Sequence, residues 1–488
     1  MARQARPGRP RWRDTHLGAT AIGLAVGLGV FFQVAAGTAQ APVRNAEPPP
    51  AASAAATSPT IPPAPAYPLK VSANRRYLVD QNDRPFLIVG DSPQTVIGKM
   101  SEADAEFYVA NRQRHGVNAL WVHVMCRDNE TCNRDGSTPD GIVPFTKPGD
   151  LTTPNPVYFR RVDNVLKIAA AHGMVVLLTP VETSGWLETL RANGEGNAFA
   201  FGQYLGRRYQ DFPNIVWMHG NDFQTWQDPA DDTVVLAVAR GIKSVDKNHI
   251  HTIELNYLNS ASLDDARWED LVQLNGVYSY YPTYAKMLDE YNRGNFKPIF
   301  LQEANYEFER NGNTDGGSLP NLRRQEYWTM LSGGTGQLYG SHVTWTLPAD
   351  WKLMLDTPGI SQLHYMKTFF EQHRWQDLIP DQKHAIVVAG YGSPAPVGRG
   401  SITTDTYATT AATSDNRLAI AYLPSLREIR VDLSRFPGAV QARWFDPTVG
   451  TYRNIGGARF ANAGISKFVP PGRNHDGDED WVLVLEAD

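Results

Sequence analysis

Residues 155–179 read NPVYFRRVDNVLKIAAAHGMVVLLT, and their layout decides the fold. Asn155 is a helix cap, with proline in the first helical position behind it. A helical pattern runs from Pro156 to His172, and Gly173 closes it. Val175–Thr179 is then an apolar run too short for a helix and suited to a buried strand. Helix, glycine and strand in direct succession are one turn of an alternating α/β pattern.

The same unit recurs on both sides of this stretch. Strands are predicted at Phe86–Gly90, Asn118–Val124, Val175–Thr179, Ile215–Met218, Ile250–Leu255, Leu274–Tyr278, Pro298–Gln302 and Gly336–Gly340. Helices are predicted at Ser101–Arg114, Pro156–His172, Ala198–Asp211, Thr233–Val245, Thr283–Arg293, Leu319–Ser332 and Ile360–His373. Eight β/α units over about 300 residues match the length of a (β/α)8 TIM barrel, expected here over residues 69–380. A doubly wound open sheet is the alternative, disfavoured because no Gly-x-Gly-x-x-Gly follows the first strand. Beyond Pro380 the text turns to short alternating strands (Ala385–Ala389, Arg417–Tyr422, Ile429–Asp432, Val440–Phe445, Trp481–Leu485). Residues 381–488 therefore read as a small antiparallel β-sandwich.

The amino terminus is built differently. Five arginines precede an apolar run from Leu17 to about Ala36 that ends in small residues. Residues 1–41 read as a secretory signal or, because the run is nearly long enough to span a bilayer, an inner-membrane anchor. Either reading predicts an exported protein, periplasmic or extracellular. Residues 42–68 are dominated by Pro and Ala and read as an extended spacer. The chain's two cysteines, Cys126 and Cys132, suggest a local disulfide in an exported protein, with two free thiols as the competing reading. A net charge of −5 leaves no basic footprint for nucleic acid. The 12 Trp, 20 Tyr and 19 Phe include enough flat faces for sugar rings, although most aromatics belong to the core.

In a barrel the chemistry gathers at the carboxyl ends of the strands. Those ends carry Asp91, His123, Glu182 with Trp186, His219-Gly220-Asn221-Asp222, Tyr278-Ser279-Tyr280-Tyr281, Glu303, and His342 with Trp345. Asp222 and Glu303, after strands four and seven, face each other across the mouth. That is where glycoside hydrolysis needs a proton donor and a second carboxylate. Asp91, His123, Glu182, Trp186, His219, Asn221, Tyr280 and Trp345 are the candidate substrate contacts. Each has a plainer reading: a turn for Asp91, packing for the tryptophans, a second-layer hydrogen bond for the histidines. Glu307 and Glu309 are expected on the loop surface. The acidic run His475–Asp480 is expected to be a solvated turn rather than a calcium loop. No metal set and no cofactor are expected.

Three segments carry a resemblance: Pro85–Asp91, Asn214–Asp222 and Lys297–Glu307. Together they resemble the apiosidase-like catalytic domain family, related to glycoside hydrolase family 140. Gly333–Gly340 and Trp345 are similar to its eighth strand, and residues 384–486, with Trp444–Gly450, to the β domain, named for collagen binding, that usually follows it. The resemblance spans about residues 70–486. It implies Asp222 as acid/base and Glu303 as nucleophile. Asn221-Asp222 stands where the wider clan of retaining barrel glycosidases has Asn-Glu, and His219 stands where the family usually has a second Gly.

These readings predict a retaining glycoside hydrolase, a monomer acting on a plant or bacterial polysaccharide or oligosaccharide without a cofactor. Two other classes remain open. One is a non-catalytic glycan-binding or adhesin-type protein on the same barrel. The other is a lyase or metal-dependent hydrolase.

Overall fold

The computed structural model describes residues 64–127, 131–225, 228–310 and 316–488. Residues 1–41, expected to be a signal or anchor, and nearly all of the expected spacer lie outside these residues. No helix among the described residues is long and apolar enough to cross a membrane.

Eight parallel strands form the barrel: β1 (Ile88–Asp91), β2 (Ala119–His123), β3 (Val175–Thr179), β4 (Ile215–Gly220), β5 (His251–Glu254), β6 (Asn275–Ser279), β7 (Ile299–Glu303) and β8 (Gly336–Tyr339). The ladder runs β5-β4-β3-β2-β1-β8-β7-β6, which excludes the doubly wound sheet. Around it stand α1 (Glu102–Arg114), α2 (Pro156–Ala171), α3 (Thr183–Tyr209), α4 (Pro229–Val245), α5 (Thr283–Tyr291), α6 (Leu319–Leu331) and α7 (Pro358–Glu371). Side chains of Ile88, Trp121, Leu177, Met218, Phe300 and Leu338 fill the interior in one apolar cluster. That cluster makes the barrel a packed core rather than a pore.

Several expectations change. Helix α3 begins at Thr183, not Ala198; Glu182 caps its start, and Gly194 (φ 73°) breaks it into two pieces. The fifth unit has no α-helix. Strand β5 is followed by the short strand Asn259–Ala261, antiparallel to β6, and by two single 3-10 turns, Ser262–Asp264 and Ala266–Trp268. The Ser262 hydroxyl stitches the gap: it donates to the Ile253 carbonyl at 2.6 Å and accepts the Gly276 N–H at 3.0 Å. Residues 64–68, assigned to the spacer by composition, belong to the folded part, since the Tyr67 hydroxyl donates to the Gly173 carbonyl at 2.8 Å. A three-stranded sheet too short for periodicity to reveal (Lys70–Val71, Leu78–Val79, Pro85–Phe86) adds Leu78 and Phe86 to the interior cluster at the amino-terminal end of the strands.

Cys126 and Cys132 form a disulfide. It lies against Gly98, where a Cβ would come within 2.4 Å of the Cys126 sulfur, so glycine is required at that contact.

The carboxy-terminal domain pairs a six-stranded antiparallel sheet with a three-stranded one. The larger contains Leu378–Pro380, Thr409–Thr413, Leu418–Leu423, Trp481–Ala487, Val440–Asp446 and Thr451–Asn454; the smaller contains Val387–Ala389, Ile429–Asp432 and Ile465–Phe468. Alternation along the strands splits the residues of the larger sheet between two cores. Ala419, Ala421, Leu423, Leu483 and Leu485 pack toward the smaller sheet. Ile420, Tyr422, Val482 and Val484 join the core formed with the barrel helices. The acidic run is not a solvated turn: Asp478 and Asp480 pair with Arg323 of α6 at 2.7 Å each, and Asp480 is buried.

Candidate active site

Asp222 follows β4 in a left-handed backbone conformation (φ 48°), which aspartate tolerates better than most residues. Its N–H donates to Glu254 Oε2 at 3.1 Å, so the buried carboxylate at the end of β5 holds the turn. Gly220 (φ 81°) lets the chain pass so near β5 that a Cβ there would lie 2.2 Å from the Glu254 carbonyl. These constraints fix where the Asp222 side chain emerges.

Glu303 ends β7, 8% exposed. Tyr278 and Tyr280 donate hydroxyls to its Oε1 at 2.7 and 2.8 Å, and Tyr306 donates to its Oε2 at 3.1 Å. The Tyr278 hydroxyl is also 2.9 Å from Asp222 Oδ1. Both carboxyl oxygens therefore touch one phenol oxygen and can be no more than about 5.6 Å apart, the two contacts laid end to end. A phenol has one proton. It can donate to only one of the two carboxyls, and the other contact is satisfied when that second carboxyl is protonated.

Burial lifts both acids above the ordinary carboxylate range, Asp222 to about 6 and Glu303 to about 8, the latter also by the nearby charge of Asp222. The phenol hydrogen bonds pull in the opposite direction. Two such groups titrate as a pair, and between these values they hold one proton between them.

The residues that build this arrangement match a known family. Residues 72–377, well over half of the chain, match the model "Apiosidase-like, catalytic domain". The chain belongs to the apiosidase-like family. The activity of this apiosidase-like protein is that of a glycoside hydrolase. Residues 400–486 match the model "Putative collagen-binding domain of a collagenase". No curated protein sequence matches the chain. Among solved structures, one titled glycoside hydrolase superposes with a TM-score of 0.73 at 21% identity, covering 87% of this chain and 97% of its own. A glycoside hydrolase family 5 protein from Bacteroides vulgatus gives 0.73 at 22% identity, covering 86% of this chain and 93% of its own. At such identity these likenesses speak for the fold.

The apiosidase-like cleft keeps some of the expected contacts and loses others. Tyr280, expected as a substrate contact, bonds Glu303 instead, and Tyr278 does so too and of the two reaches Asp222. Asn221 lines a cavity with Asp222. Trp345 is half-buried and bonded through its indole N–H to Glu309, whose charge acts on Glu303 and Tyr280.

The other candidates are structural. Asp91 is fully buried and bonded to Arg112 and Tyr108. Glu182 is buried as the cap of α3, accepting the Gly185 N–H at 2.7 Å. Trp186 packs edge-on to Phe145 at 5.9 Å under the Arg127 guanidinium. His123 is buried, and desolvation lowers it to about 4 despite the charge of Glu182. His219 is buried too, 2.9 Å from His251 Nδ1 and stacked on that ring, in a packing position. Glu307 is not on the surface: it is buried and accepts from Tyr339, Thr357 and the Gly359 N–H.

Sequence reasoning missed Tyr306, Glu254 and Tyr257. Tyr306 stands three residues after Glu303, and Glu254 is the polar end of the fifth strand, so both were visible as positions. Tyr257, 37% exposed, lies edge-on to Tyr280 at 5.6 Å, and partial burial, then the charges of Asp222 and Glu303, raise its hydroxyl pKa. It presents an aromatic ring at the cleft edge, a surface suited to a sugar.

Proposed function

We propose that this protein is a retaining glycosidase in which Glu303 is the nucleophile and Asp222 the acid/base. The observation that carries the reading is the single phenol oxygen joining the two carboxyls. It limits their separation to a span that suits a covalent glycosyl-enzyme rather than one with room for an intervening water.

Taken singly, the two values would leave the shared proton on Glu303; the pair titrates jointly, and the hydrogen-bond donors decide which member carries it. Glu303 accepts from three phenols, which favours its ionised form. Asp222 contacts only Tyr278 among them and, protonated, donates to that phenol while Tyr278 donates onward to Glu303. With substrate bound, Glu303 attacks the anomeric carbon as Asp222 passes its proton to the departing glycosidic oxygen. The bond from that carbon to the leaving oxygen breaks as the bond to Glu303 forms. Asp222, now a carboxylate, takes a proton from water, whose oxygen attacks the same carbon and releases Glu303. Neither half-reaction needs a cofactor.

The substrate is a plant or bacterial polysaccharide or oligosaccharide. Export belongs to the same proposal, supported by the amino-terminal apolar run and by a disulfide that suits an oxidising compartment. The test is digestion of a polysaccharide panel by the wild type and by Glu303→Gln. Sugar release by the wild type, lost in the folded variant, is expected. Binding without turnover would favour a glycan-binding protein, and turnover retained by the variant would remove Glu303 from its role.

A further inference from the structure

The β domain reaches the catalytic end of the barrel. Between its strands Val387–Ala389 and Thr409–Thr413 the chain runs along α5 and α6, and bonds from both sides hold it there. The Ala395 N–H donates to the Tyr284 hydroxyl at 2.6 Å, and that hydroxyl donates to Asp405 Oδ2 at 2.8 Å. Trp328 donates its indole N–H to the Tyr407 carbonyl at 3.0 Å, and Arg324 donates to the Ile402 carbonyl at 2.7 Å. The rings of Tyr284 and Tyr407 meet with centroids 4.7 Å apart.

What this segment touches is the run of chain that ends β6 and enters α5. Gly398 packs so near Asn259 that a Cβ there would lie 3.2 Å from the Asn259 Nδ2, and a Cβ on Gly400 would lie 3.5 Å from the Pro282 ring. Asn259 belongs to the short strand beside β6 and accepts the Ser279 hydroxyl at 3.2 Å. Ser279 precedes Tyr280, whose N–H donates to the Leu258 carbonyl at 3.0 Å and whose hydroxyl donates to Glu303. Residues 279–284 therefore carry a phenol on Glu303 near one end and the β domain on the other. From the barrel side the Thr283 hydroxyl donates to the Gln325 carbonyl at 3.1 Å. The Gln325 side chain accepts the Asn305 N–H at 3.1 Å and donates to the Asn305 carbonyl at 2.9 Å, two residues beyond Glu303. A donor that must meet a reacting carboxylate within about 0.5 Å depends on supports of this kind.

We propose that the β domain is part of the catalytic apparatus: its segment 394–407 holds the end of β6 where the Tyr280 hydroxyl stays on Glu303, with Tyr284 as the positioning residue at the contact. The proposal rests on the assignment of Glu303 as nucleophile. It gives the domain a role in catalysis that needs no ligand of its own.

The test uses the full chain and the polysaccharide of the panel that the wild type digests fastest. Tyr284→Phe keeps the ring and removes both hydrogen bonds of the hydroxyl. Asp480→Asn is the control, weakening the same junction at Arg323, away from residues 279–284. Tyr284→Phe lowers kcat about tenfold while KM stays within about twofold. The limb of its pH–rate curve that Glu303 governs moves upward, because a displaced phenol stabilises the carboxylate less. Asp480→Asn lowers the melting temperature and leaves kcat, KM and the curve as they were. Gly398→Asn, which suits the left-handed backbone there (φ 67°) but crowds Asn259, shows the Tyr284→Phe pattern and decides the matter if Tyr284→Phe does not fold. Wild-type kcat and limbs in folded Tyr284→Phe, or a fall in kcat that Asp480→Asn reproduces, would overturn the proposal. Turnover that persists in Glu303→Gln would instead overturn the catalytic assignment.

Discussion

Asp91 and Glu303 make an instructive pair. Each ends a barrel strand, each is buried, and each accepts tyrosine hydroxyls. Asp91 also meets the guanidinium of Arg112, itself buried and bonded to the Leu355 carbonyl at 2.9 Å. Among the described residues no lysine or arginine pairs with Glu303; its close companions are phenols and, through one of them, a second carboxyl. A buried charge with a matched cation is a structural tie whose loss is costly. A buried charge held only by neutral donors keeps a raised proton affinity and remains available for chemistry.

The largest contrast is expected when each acid is removed. Glu303→Gln should lower kcat by at least about 10⁴-fold. Asp91→Ala should leave the chemistry of correctly folded molecules largely intact but destabilise them by about 3–5 kcal/mol, because Arg112 is left without its counter-charge. Denaturant melts beside active-site titration separate the two outcomes; an inactive but fully stable Asp91→Ala protein would erase the distinction.

Stability should also respond to pH in a way particular to the cleft. A carboxyl with a raised folded pKa stabilises the fold while protonated, and that contribution is lost as pH rises through its folded value. The wild type should therefore lose stability relative to Glu303→Gln as pH climbs from the ordinary glutamate value near 4.5 to about 8, and the difference should level off above that. Melting temperatures of both proteins from pH 5 to pH 9 provide the check, with the gap widening in favour of the variant up to about pH 8.

Smaller effects sharpen the role of the bridge. Tyr278→Phe should lower kcat by about 10²-fold, the usual scale for losing one well-placed donor. The hydrogen bond it donates lowers the pKa of Glu303, so its loss should move the limb of the pH–rate curve that Glu303 governs upward. For the wild type that curve should be a bell with limbs near 6 and 8, read from kcat/KM across pH.

The same comparison explains what could be read before any coordinates. The strands were legible because buried parallel strands are nearly continuous apolar runs, and Val175–Thr179 is paired as expected. The closeness of Asp222 and Glu303 was legible because a barrel gathers its strand ends at one mouth. Asp91 was misjudged because its partner Arg112 lies a full helix away, and a strand-end aspartate carries no local mark of being neutralised. His219 was misjudged because its partner His251 lies on the next strand and faces the same interior, a contact without a sequence signature. No helix was read in the fifth unit, because residues 256–272 have no helical period, and the chain there folds as a short strand and two 3-10 turns.

The most direct test follows the first-formed product by proton NMR during hydrolysis of a substrate of known linkage. Two carboxyls joined by one phenol oxygen predict that the sugar appears first in the anomeric configuration of the starting glycoside and mutarotates later. A first product of opposite configuration would contradict the account, since an inverting course calls for a wider carboxyl separation than the proposed pair has.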